Sequence, residues 1–171
     1  MGISEMKSMF AMPSEYPIER INDTESFDNT GLEGLMDAFP YSSRRDYKRM
    51  KNRIVKGELL LWAAFHKDSP VGYVLCEPKH YHDNILPGYG FYFTERFVEK
   101  SHRGMLLCSR LVGVASSRAR EMRRKCIFEE VDASNMEGIL SSESLGFEEF
   151  STVKRGNKTY SMRRKYLARQ V

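Results

Sequence analysis

Short apolar runs with strand spacing alternate along this chain with longer stretches of helical spacing. Tyr16 to Ile21 alternates as a strand, and Asn22-Asp23-Thr24-Glu25 offers a cap before Phe27, Leu32, Leu35, Met36 and Phe39. A second helix is predicted from Ser43 to Lys56. Tyr47, Met50 and Ile54 share one face of it, and Arg44, Arg45, Lys48, Arg49, Lys51 and Arg53 cover much of the rest, until Gly57 ends it. Glu58 to Phe65 and Val71 to Cys76 are β-rich runs separated by the turn residues Lys67-Asp68-Ser69-Pro70, and so predict an antiparallel hairpin.

The second half continues the alternation. Gly90 to Val98 reads as a strand, Arg103 to Arg124 as a helix burying Leu107, Leu111, Val114, Ala115 and Met122, and Lys125 to Val131 as a strand. Ser134-x-x-Glu137 has the form of a capping box, and Gly146 stands where a left-handed helix terminus wants glycine. Phe147 to Val153 and Thr159 to Tyr166 bracket Arg155-Gly156-Asn157-Lys158 as a closing hairpin. The order β, α, α, three strands, α, β, α, hairpin indicates an α/β or α+β sheet rather than a bundle or sandwich.

At 171 residues the chain is expected to form one domain, with the first dozen or so residues outside it. Three cysteines, Cys76, Cys108 and Cys126, fit a reducing compartment better than a disulfide framework. The start has no apolar signal core, and Leu59 to Phe65, the longest apolar run, is too short to span a bilayer. A cytoplasmic protein without a membrane partner is the expectation.

A net charge of +4 conceals an asymmetry. Residues 1–40 carry eight acids against Lys7 and Arg20, and residues 154–171 carry seven Lys or Arg and no acid. Such polarity can steer an anionic partner or let copies pair, although a solvated surface explains any single cluster.

Candidate chemistry is concentrated between Val98 and Phe147. Val98 is followed by Arg103-Gly104-Met105-Leu106-Leu107-Cys108, then by Asn135 and Leu145-Gly146-Phe147. This ordered set resembles the GNAT N-acetyltransferase superfamily from Tyr16 onward. The resemblance implies a single GNAT-like domain over 15–171 after an extension of residues 1–14, with a mixed, twisted sheet splayed open after Val98 and helices on both faces. In that family a strand ending in Val precedes a loop of Arg or Gln, two residues, Gly, one residue, and Gly or Ala. Loop amides at a helix N-terminus bind the pyrophosphate of acetyl-CoA.

Carried onto this chain, the resemblance implies cofactor contacts from Val98, Arg103, Gly104, Met105, Leu106, Leu107, Cys108 and Asn135. Leu106 stands on the first motif glycine, where a side chain obstructs the approach of phosphate and resists the required dihedrals. Ser142 replaces the tyrosine that often serves as general acid. Glu95 is the candidate general base, needed because a protonated amine is not a nucleophile. His102 is a further candidate relay.

Two functions follow. One is an acyl-CoA-dependent N-acetyltransferase in which a primary amine of a small molecule or protein attacks the thioester directly, with acetyl-CoA as cofactor. The alternative, motivated by Leu106, Ser142 and the charge polarity, is a catalytically inactive GNAT-fold structural protein, such as a bacteriophage virion component, with a protein partner or a second copy. Nucleic-acid binding through the basic helix, with Tyr41 and Tyr47 nearby, is weaker for want of a motif. Cys76, His80, His82 and Asp83 are clustered, but their spacing fits no standard zinc pattern; no metal is expected.

Overall fold

A computed structural model describes residues 15–39, 46–81 and 88–167. Strand β1 (Ile18–Ile21) leads to helix α1 (Thr24–Asn29), whose cap is Asp23, its carboxylate accepting from the Ser26 amide at 2.7 Å. The apolar series from Phe27 to Phe39 does not make one helix. Gly31, at φ +71°, breaks it, and α2 (Leu32–Asp37) starts afresh after it. Helix α3 (Tyr47–Val55) is capped by Asp46 and ends before Gly57 in the left-handed conformation. The start expected at Ser43, and Tyr41, lie outside the described residues.

Strands β2 (Leu60–His66) and β3 (Ser69–Tyr81) form the expected hairpin through a two-residue turn in which Lys67 and Asp68 both have positive φ. Strand β4 (Gly88–Val98) follows, then a single 3₁₀ turn (Lys100–His102) and helix α4 (Leu107–Glu121). Strand β5 (Cys126–Asp132), helix α5 (Met136–Ser144) and the hairpin β6 (Glu148–Arg155) and β7 (Lys158–Tyr166) complete the order.

These strands form one seven-stranded sheet in the order β1-β2-β3-β4-β5-β7-β6, antiparallel throughout except between β4 and β5. Helices cover both faces. On one, Leu107, Leu111, Val112, Ala115 and Ala119 of α4 pack on Val74, Phe91, Phe93 and Ile127. On the other, Phe27, Leu32, Met36 and Ile54 cover Leu61, Ala63, Tyr73 and Leu75. Burial on both faces explains why β2 reads as an unbroken apolar run.

Part of the charge polarity is spent inside the fold. Lys51 of the basic α3 pairs with Asp28 and, at 2.7 Å, with Glu33. On the C-terminal hairpin Arg155 pairs with Glu130 at 2.9 Å and Arg163 with Glu143 at 3.1 Å. Among the described residues no helix is long and apolar enough to cross a membrane.

Candidate active site

The site is made by a break in the sheet. β4 and β5 pair only from Phe91–Phe93 to Ile127–Glu129, so they part at Thr94, several residues before the expected point at Val98. Thr94 is the extra residue of a β-bulge: Leu75 faces Glu95 but Cys76 faces Phe93, and the Thr94 hydroxyl donates to the Leu75 carbonyl at 3.0 Å.

The bulge exchanges the faces of every later side chain. Phe91 and Phe93 lie in the α4-side core, and beyond the bulge it is Val98 that packs there and Arg96 that reaches Cys108 on α4 and Ser141 on α5. Glu95 and Phe97 take the other face. The Tyr73 hydroxyl donates to Glu95 at 2.8 Å.

Between the parted strands and the head of α4 lies a cavity of about 650 Å³. Its rim is the loop after β4. Gly104 has φ +85°, and Leu106 has φ +54° and ψ +14°, a left-handed conformation that costs a side-chain-bearing residue roughly 1–2 kcal/mol. Helix α4 therefore begins at Leu107 rather than Arg103. Leu106 takes the dihedrals expected to resist it, and the residue is 59% exposed. As N-cap it offers no side-chain acceptor, so the first-turn amides of α4 remain donors at the positive end of the helix.

Neighbouring side chains tie this loop down. Arg103 donates through Nε to the Val98 carbonyl at 3.2 Å and pairs with Glu137 of α5. His102 lies with Nδ1 3.3 Å from the Tyr16 hydroxyl, and Tyr16 stacks on His66 with ring centroids 5.0 Å apart.

The floor of the cavity is ionic. Arg96 donates to Glu129 at 3.0 Å through Nε, to the Ser141 hydroxyl at 3.0 Å and to the Cys108 sulfur at 3.4 Å. Desolvation works against the Arg96 charge, but Glu129 and Cys108 outweigh it and hold the guanidinium above its ordinary value. Ser142 is wholly buried and donates to Glu129 from behind.

Helix α5 is capped by Asn135, whose side-chain oxygen accepts from the Gly138 amide at 3.0 Å. The expected capping box therefore does not form, and the cap moves one residue on, from Ser134 to Asn135. Ser134 is taken by Asp132, to which it donates through both amide and hydroxyl, and Glu137 is turned to Arg103. A Cβ at Gly138 would stand 2.6 Å from Asn135 Nδ2, so the cap requires glycine there.

Of the residues singled out in the sequence, the cavity gathers Glu95, Val98, Arg103, Gly104, Leu106, Leu107, Cys108 and Asn135, with His102. Met105 does not line it, and Ser142 lies behind Glu129 while its neighbour Ser141 lines the wall. Sequence reasoning missed Arg96, Glu129, Tyr92 and Tyr160, which also line it. A signal for two of them was present: Arg96 and Glu129 each follow an apolar stretch of their strand, Phe91–Phe93 in β4 and Ile127–Phe128 in β5, where the pattern turns charged. Of the metal candidates, Cys76 is fully buried, His82 and Asp83 lie outside the described residues, as does the His80 side chain, and no metal-holding group occurs among the described residues.

A sequence profile of the Acetyltransferase (GNAT) family matches residues 23–147. The chain belongs to that family. A GNAT-family protein from Desulfovibrio desulfuricans superposes with a TM-score of 0.73 at 12% identity, over 90% of this chain and 99% of that one. Arabidopsis thaliana NAA60 in complex with acetyl-CoA gives 0.70 at 15% identity, over 89% and 98%. An aminoglycoside 6'-N-acetyltransferase complexed with coenzyme A gives 0.67 at 16%, over 91% and 99%. At these identities the likeness is one of fold. No curated protein matches the sequence.

Proposed function

We propose that this chain is an acyl-CoA-dependent N-acetyltransferase acting on a primary amine. One observation carries the reading: Leu106 is held in a strained left-handed conformation at the head of α4, beside a cavity between parted strands. Strain of this kind persists where the surroundings over-determine it, and it is concentrated at ligand sites. Here it aims the first-turn amides of α4 outward, as an anion requires. Solved relatives of the same fold contain acetyl-CoA or coenzyme A.

The residues fit such a cofactor. Amides from Gly104 to Cys108 would hold the pyrophosphate, with Arg103 beside them, and the edge of β4 that parts from β5, up to Val98, would receive the pantetheine. Leu106 lines the cavity but is mostly exposed rather than packed over the loop. When bound, acetyl-CoA supplies a thioester carbonyl to the amine nitrogen. Glu95, held by Tyr73, takes the proton that the amine must lose, directly or through water. Asn135 orders the head of α5 against the cavity. Ser142 is assigned the holding of Glu129.

The polarity that motivated a non-catalytic structural role is partly neutralised by internal pairs, and no comparison favours that role. The test is release of free coenzyme A thiol from acetyl-CoA with a panel of polyamines, aminoglycosides and peptide N-termini. Amine-dependent release that Glu95→Gln lowers by about 10²–10⁴-fold is expected; acetyl-CoA binding without turnover on any amine would overturn the catalytic reading.

A further inference from the structure

The cavity wall where β4 and β5 part is not apolar. Arg96 and Glu129 meet where the β4–β5 pairing ends at Phe93 and Glu129, and both line the cavity. Glu129 is 3% exposed, and Ser141 and Ser142 add a hydroxyl on each side of the pair. Beside them Phe93 lines the cavity from β4 and Val131 from β5.

We propose that the Arg96–Glu129 pair makes this chain selective for short acyl groups, acetyl above all, by presenting a polar end wall to the acyl chain. The inference rests on the proposed acyl-CoA reading. An acetyl group ends before the wall. A long aliphatic chain driven into the wedge must lie against the guanidinium, the carboxylate and the Ser141 hydroxyl, excluding water from them while offering no hydrogen bond in return. Because Glu129 already neutralises Arg96, an acyl group bearing its own carboxylate gains nothing there either. Three side chains hold the guanidinium in place: Glu129, Ser141 and Cys108, the last carried by α4. The wall is therefore fixed rather than able to swing aside.

Replacing the pair with apolar residues removes the wall without leaving a lone buried charge, and such exchanges commonly preserve folding. The experiment titrates the full chain with acetyl-CoA and octanoyl-CoA by calorimetry, beside an R96M/E129L/S142A variant whose melting curve is measured first. The wild type is expected to bind acetyl-CoA at least about tenfold more tightly than octanoyl-CoA, and the variant to close or invert that gap. Arg96→Lys, which keeps the charge but loses the planar reach to Ser141, serves if the triple variant does not fold and is expected to narrow the gap. Equal wild-type affinities, or the same discrimination in a folded variant, overturn the inference and leave the acyl-CoA reading standing. Binding of neither thioester sinks both.

Discussion

The Tyr73 hydroxyl donates a 2.8 Å hydrogen bond to the Glu95 carboxylate across the β3–β4 ladder, fixing on one face of the sheet a carboxylate that strand alternation alone would have assigned to the other. If Glu95 accepts the amine's proton, Glu95→Gln keeps the shape and removes the base. General-base contributions are typically about 10²–10⁴-fold, so kcat should fall within that range while acetyl-CoA affinity is unchanged. Tyr73→Phe should cost less. An unaltered kcat in Glu95→Gln assigns the base elsewhere.

The Arg96–Glu129 pair also makes a stability prediction. Removing one partner of a buried pair leaves an uncompensated charge, so Glu129→Ala should destabilise the fold by about 3–5 kcal/mol in urea unfolding. R96M/E129L/S142A should remain much closer to the wild type. Equal losses in the two variants would contradict this account of the wedge.

Acid should loosen two capped turns. Ser26, through its amide and hydroxyl, holds the Asp23 carboxyl below its ordinary value, and Ser134 together with Lys158 does the same for Asp132. A depressed value in the folded state means that the contribution is complete above the ordinary carboxylate range and is lost as pH falls through the folded values. Asn at both positions keeps a neutral acceptor, so D23N/D132N should show a shallower loss of urea midpoint between neutral and acid pH than the wild type. Parallel slopes would remove these two carboxylates from the acid transition.

Much of the fold could be read in the chain because the elements obey simple periods. The unbroken apolar run of β2, the stripe of Leu107, Leu111 and Ala115, and Gly57 and Gly146 each carried their own signal. What was hidden depended on one residue out of step. Thr94 inserts a bulge that no residue type announces, and it alone decides that Glu95 faces Tyr73 and Arg96 faces α4 and α5. Gly31 broke a helix whose apolar spacing ran through it, since hydrophobic period does not register a single left-handed residue. At α5, Ser134 and Asn135 are both good caps, and the choice fell to Asn135 because Asp132 had already bound Ser134.

Leu106 is the point on which the central claim turns. The most direct measurement is isothermal titration of acetyl-CoA into the wild type and Leu106→Gly, with melting curves for both. Relief of left-handed strain should make the glycine variant at least as stable as the wild type, by up to about 1 kcal/mol, despite its freer unfolded chain. Saturable one-to-one binding by the wild type, equalled or bettered by the variant, is the predicted result. Silence from the wild type at millimolar acetyl-CoA contradicts the account, whatever the variant does.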